Sequence, residues 1–178
     1  MTGPSVVDRH VAAPVDVVAA VLADPRTYDG LVVGSRRVRW FDPTWPAPGA
    51  RLHHTVGFGP VTIRDHTEVL HDALPDRLEL AAAVRPIGVL RVVFTLRPGA
   101  AGAGTAATAV AAGEAAAGAG TRVEMLEEPL SGPVVRLWSP PARRLTDRRN
   151  AVTLRRLDEL ARDRDAVRRR ASVGQRPA

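Results

Sequence analysis

The chain contains no cysteine and no lysine. Without cysteine it cannot form disulfides, thiolate zinc sites or cysteine nucleophiles, which agrees with a reducing compartment. Without lysine, all 25 basic residues are arginine, and with so much alanine this reads as compositional bias rather than function. No apolar run approaches the roughly 18 residues of a membrane-spanning helix, and the N-terminus lacks a signal-peptide run. A soluble cytoplasmic protein is the expectation. At 178 residues, with 45% hydrophobic content, the chain is long enough for one domain with its own core. The net charge is +6 and the pI about 11.3, but much of the excess lies late in the chain, so nucleic acid is not indicated as a partner.

The last third organises the rest. Ser131-Gly132-Pro133 opens it, Pro140-Pro141 breaks it once, and it then runs past Arg164 without glycine or proline. Leu145, Arg149, Thr153, Leu157 and Leu160, with Ala142, Val152 and Ala161 beside them, predict one long helix with a broad covered face. The segment before it reads mainly as strands. Ser5–Val11 is β-branched, Pro14 and Asp16 suit the start of a short helix, and Asp24-Pro25 ends that helix. A second short helix or loop passes through Tyr28, Leu31 and Val32. Strand Arg36–Phe41 sets Val38 and Trp40 against Arg37 and Arg39.

A hairpin centred on Gly59-Pro60 pairs Phe58 with Val61, Val56 with Ile63, His54 with Asp65, and Leu52 with Thr67. That apolar face is expected inward, and the face pairing His53 with His66 and Thr55 with Arg64 outward. Strands Arg77–Val84, Ile87–Arg97 and Thr121–Glu128 follow, the last with Val123, Met125 and Glu127 on one face. Residues 99–120, almost all Ala, Gly and Thr, lack the large apolar groups that offset ordering entropy and predict a flexible loop insertion. The single domain is therefore expected over 5–164, with a disordered basic tail over 165–178.

The order strand, short helices, further strands and long C-terminal helix resembles the helix-grip fold of the SRPBCC superfamily. That group includes START lipid-transfer domains and polyketide cyclase/dehydrase proteins. The likeness is carried by Ala12-Ala13-Pro14-Val15-Asp16-Val17-Val18, Ala23-Asp24-Pro25, Pro48-Gly49-Ala50-Arg51, Pro75-Asp76-Arg77-Leu78, Phe94-Thr95-Leu96, Gly120-Thr121-Arg122-Val123 and Leu154-Arg155-Arg156-Leu157. It spans Ser5 to about Arg162 apart from the insertion. The resemblance implies an α+β fold, a curved antiparallel sheet of about seven strands wrapped around the long helix. It also implies a cavity for a lipid, polyketide or similar apolar molecule. No catalytic set comes with it, because one fold hosts many chemistries.

Two arrangements carry candidate chemistry. His54 and Asp65, facing each other across two strands, form a dyad in which the carboxylate fixes the imidazole tautomer and leaves the other nitrogen as a base. The bland reading is a self-satisfied polar pair. Arg149, on the covering helix, is a partner for Glu127 or Asp65 and a receiver for a ligand carboxylate or enolate; its bland reading is a side chain reaching the rim. Leu52, Val56, Ile63, Leu80, Phe94, Met125, Glu127, Trp138 and Leu145 are the expected ligand lining. His53 with His66 supplies too few ligands for zinc, and no metal or cofactor is expected. The leading reading is a binder of a small hydrophobic molecule. A cofactor-free cyclase or dehydratase with His54 as base, Asp65 orienting it and Arg149 stabilising an oxyanion is the enzyme alternative. An interaction module using the Arg-rich C-terminal end is the third.

Overall fold

The computed structural model describes residues 3–58, 61–99 and 120–173. Strand β1 (Ser5–Val11) leads through Pro14 into α1 (Val15–Leu22), followed by a 3-10 turn (Pro25–Thr27) and α2 (Tyr28–Leu31). Then come β2 (Ser35–Phe41), β3 (Arg51–Phe58), β4 (Val61–Ala73), β5 (Arg77–Val84), β6 (Gly88–Pro98) and β7 (Thr121–Ser131), and last α3 (Val134–Leu137) and α4 (Pro140–Val173). The strands form one antiparallel, curved sheet ordered β1-β7-β6-β5-β4-β3-β2. Its concave face is covered by the 34-residue α4 together with α1 and α2. This is the helix-grip arrangement that the order of elements led one to expect.

Local chemistry explains the boundaries. The Asp24 carboxylate accepts from the Arg26 amide and caps the 3-10 turn, while the Tyr28 hydroxyl donates to the Leu22 carbonyl at 3.0 Å. Gly88 and Gly132 let the ends of β6 and β7 touch: a Cβ on Gly88 would lie 2.1 Å from the Ser131 carbonyl oxygen. Both have positive φ, which glycine adopts without steric cost. The core runs through Leu78, Phe94, Leu96 and Val123 on the sheet and Leu154, Leu157 and Ala161 on α4, all essentially inaccessible. Each large apolar side chain so placed contributes about 1.5–3 kcal/mol relative to exposure.

The β3–β4 register is the one expected, with Val56 opposite Ile63, His54 opposite Asp65 and Leu52 opposite Thr67. Other expectations need correction. The buried face of α4 is centred on Asn150, Leu154, Leu157, Asp158 and Ala161. At about 100° per residue, Leu145 lies roughly half a turn from Leu154, and it is 70% exposed. The misplacement came from centring the covered face on apolar residues, whereas Asn150 and Asp158 lie at its middle. Asp158 is instead buried with partners, accepting from the Ala12 amide at 3.0 Å and from Arg162 Nε at 2.9 Å. Nor does the helix end near Arg164. It continues to Val173, with Asp165 nearly buried and taking Arg169 at 2.7 Å, so residues 165–173 are helix rather than tail. The flexible insertion expected over 99–120 falls, between 100 and 119, outside the described residues, as do 174–178. At its ends the Gly99 amide donates to the Gly120 carbonyl.

Candidate functional site

Sheet, α2 and α4 enclose a cavity of about 90 Å³. Its floor is apolar: Leu52 and Val56 from β3, Leu80 from β5, Leu90, Val92 and Phe94 from β6, and Met125 from β7. These are alternate residues of neighbouring strands, so the pleat turns all of them to one side. The α2 side adds Tyr28, Val32 and Val33, and Tyr28 packs edge-on against Trp45 with ring centroids 5.4 Å apart. Burial pushes the Tyr28 phenol up, so it stays protonated.

Polar groups converge on the α4 side. Glu127 is fully buried on β7, opposite Ser5 of β1, and its Oε2 accepts from Arg149 Nη2. Arg149 also donates to the Asn150 side-chain oxygen, Asn150 Nδ2 donates to Ser5 Oγ, and Ser5 Oγ donates to Asp147 at 2.6 Å. The network ties one sheet edge to the helix. Among the described residues Glu127 Oε1 has no hydrogen-bond partner, and neither does the buried Oγ of Ser35; both residues line the cavity. Buried oxygens of this kind are normally satisfied.

His54 also lines the cavity and is 8% exposed. Burial above all, then His66 and Arg39, hold its imidazole below the usual range against the pull of Asp65, so the ring is neutral at pH 7. The expected dyad is not formed. Asp65 accepts from the Arg85 amide at 2.8 Å, from Arg85 Nε at 3.3 Å and from the His66 amide at 3.0 Å. Among the described residues none hydrogen-bonds the His54 ring. The reason lies in the sheet: the β4–β5 ladder ends at Thr67 opposite Ala82, which leaves Asp65 free to cap the chain just beyond β5. The same ending exposes Ile63, 37% accessible, which therefore does not line the cavity.

The cavity thus gathers His54, Arg149, Leu52, Val56, Leu80, Phe94, Met125 and Glu127, and leaves out Asp65, Ile63, Trp138 and Leu145. Trp138, half-buried ahead of α4, sends its indole N–H to the Gly3 carbonyl at 3.1 Å instead. Thr153 was already on the expected covered face of the helix and Tyr28 among the aromatics that could line a pocket, whereas sequence reasoning missed Ser35 and Asn150. Asn150 was legible, since it lies one helical turn before Thr153 and Leu154 on the same face. Ser35 gives no such signal. Among the described residues no group of three His, Asp or Glu side chains is placed to hold a metal ion. No described helix is long and apolar enough to cross a membrane.

No family model matches the chain, and no curated protein does. Solved structures do match. The di-domain ARO/CYC StfQ from the steffimycin biosynthetic pathway superposes with a TM-score of 0.63 at 11% identity, covering 92% of this chain and 51% of that one. DynU16, from the dynemicin biosynthetic locus, gives 0.59 at 19% identity over 89% of this chain and 47% of that one. The likeness is one of fold. This chain therefore spans about half of each of those two proteins. A protein from Nitrosomonas europaea matches nearly end to end, with a TM-score of 0.59, 17% identity, and coverage of 92% here and 96% there.

Proposed function

We propose that the protein binds a small, mostly apolar molecule of lipid or polyketide type, polar end first, between the sheet and α4. The observation that carries this reading is Glu127 Oε1, a buried carboxylate oxygen without a partner among the described residues, in an apolar cavity. An apolar pocket with a few convergent polar groups is the usual form of a ligand site. A ligand hydroxyl donating to Glu127 would satisfy the oxygen, and Arg149 beside it favours an electron-rich ligand atom. The resemblance to StfQ and DynU16 supports the class of ligand. About 90 Å³ is below the roughly 150 Å³ that admits a benzene ring, so a larger ligand must displace wall. Ser35 lines both this cavity and an outer groove bounded by Asp29, Arg156 and Glu159, which makes the Val32–Ser35 segment the wall to move.

Native mass spectrometry of the freshly purified protein, followed by organic extraction, tests the reading. A stoichiometric apolar molecule carrying a hydroxyl is expected. An empty protein that also refuses an apolar fluorescent probe refutes it.

The enzyme alternative is favoured by one observation, the neutral imidazole of His54 in the cavity, which no described residue hydrogen-bonds. A cyclase or dehydratase would use it as the base without help from Asp65. His54→Ala then abolishes turnover of the extracted compound while sparing its binding, whereas in a carrier the same change alters affinity modestly. For the third reading, an Arg-rich docking end, Arg168 and Arg169 already pair with Asp16 and Asp165. Deleting 174–178 and replacing Arg170 tests what remains of it.

A further inference from the structure

The convex face of the sheet carries a groove whose lining shares no residue with the cavity. Arg37, Thr55 and Arg64 are register neighbours across β2, β3 and β4, so their side chains rise from one row. With Thr62 and Arg39 they line an outer groove of about 470 Å³. The three arginines are exposed, and the groove lining contains no carboxylate. Among the described residues no acidic side chain pairs with Arg37, Arg39 or Arg64. Three carboxylates on or flanking β2–β4 are engaged elsewhere: Asp29 accepts from the Val38 amide, Asp42 from the Arg51 amide, and Glu68 from the Arg51 guanidinium.

Strand irregularity brings an aromatic ring beside this charge. In strict alternation Arg39 would face outward and Trp40 inward. The register shift between Val38 and Trp40 inserts a residue, and Trp40 comes to lie opposite His53 on the convex face, 53% exposed. The Trp40 and His53 rings then stand 5.2 Å apart, and those of His53 and His66 5.8 Å. A row of mutually tilted rings thus adjoins the cationic groove. The local field is felt there too. Burial first, then His66, Arg39 and Arg51 against Asp42, hold the His53 imidazole below its usual range.

We infer that the Arg37–Arg39–Thr55–Thr62–Arg64 groove is a binding site for a phosphate group. Guanidinium forks match phosphate oxygens two at a time, and hydroxyls complete such a shell with single donors. Three like charges converging on one groove repel one another, and a dianion removes that repulsion. A soluble phosphorylated molecule and a phospholipid headgroup share this chemistry.

The test is an amide NMR titration of the full chain with inorganic pyrophosphate at low ionic strength, in parallel with sodium chloride at matched ionic strength. Saturable shifts at Thr55 and Thr62 are expected, together with a rise in the His53 titration midpoint. Arg37→Gln or Arg64→Gln should each weaken binding about tenfold, the loss of one charge-assisted contact, and Arg170→Gln should leave it unchanged. All three side chains are exposed, so these variants fold. Shifts that do not saturate, that chloride reproduces, or that survive Arg37→Gln and Arg64→Gln overturn the site. Sedimentation with phosphatidylglycerol vesicles separates the sources. Vesicle binding competed by pyrophosphate supports the site with a headgroup as source, and pyrophosphate binding without vesicle binding supports it with a free phosphorylated molecule. Vesicle binding that ignores pyrophosphate and these arginines, with no pyrophosphate uptake, overturns it.

Discussion

Replacing Arg149 with methionine isolates the energetics of the candidate cavity. The change leaves Glu127, fully inaccessible, with neither oxygen partnered, since Oε2 loses Arg149 and Oε1 had no partner. Breaking a buried pair by removing one member costs about 3–5 kcal/mol. Most of that is the uncompensated charge. For a domain of this length the loss lowers Tm by roughly 6–20 °C, at about 2–4 °C per kcal/mol. Glu127→Gln costs less, about 1–2 kcal/mol, because the Arg149 side chain is 31% exposed and can turn to water. The double change Glu127→Met with Arg149→Met removes both charges and restores stability to within about 1 kcal/mol of the wild type. Urea unfolding followed by far-UV circular dichroism, with m-values compared across the four proteins, reads all of this. An Arg149→Met protein within about 1 kcal/mol of the wild type refutes the reasoning. So does a double variant as unstable as Arg149→Met, which would mean that the methylenes of Arg149 rather than its charge support the helix.

Three further outcomes follow from the same coordinates. Burial alone would raise the Asp158 carboxyl, but Arg162, the Ala12 amide and Arg9 outweigh it and hold it below its usual value. The stability it contributes is therefore complete above the ordinary carboxylate range and is lost as pH falls through the depressed folded value. Acid unfolding curves should be shallower in Asp158→Asn, and an unchanged curve refutes the assignment. Phe94→Ala, at a site 1% exposed on the cavity floor, costs about 3–5 kcal/mol in urea unfolding and enlarges the cavity; a loss below about 1 kcal/mol would mean that the walls collapse. Truncation after Arg164 removes Asp165 and Arg168, which packs its charge on Asp16 of α1, and should lower stability by about 1 kcal/mol, whereas truncation after Val173 should not.

Much of the fold was legible in order and pattern. Period-2 alternation in β5, β6 and β7 gave their inward residues, because a pleated strand buried on one face leaves few other choices. The hairpin register followed from the same rule together with the turn at Gly59-Pro60. The cavity floor, from Leu52 to Met125, came with it. The partners of polar groups were not legible. Asp65 was assigned to His54 because they share a rung, but only the tertiary structure shows the β4–β5 ladder stopping at Thr67 and Ala82, which lets Arg85, just beyond β5, take the carboxylate. Trp40 was set on the same face as Val38 because a one-residue bulge leaves no mark in an alternating pattern. Leu145 was read as covered because hydrophobicity marked the helix face, while that face is centred on Asn150 and Asp158, whose polarity is met by Ser5 and Arg9 of β1 and by Ala12 just after it, more than a hundred residues away. Composition and periodicity act locally and decide which elements form and which strand faces turn inward. Where a buried charge finds its counterpart depends on where strands stop and which chain segments meet, and only the assembled structure sets that.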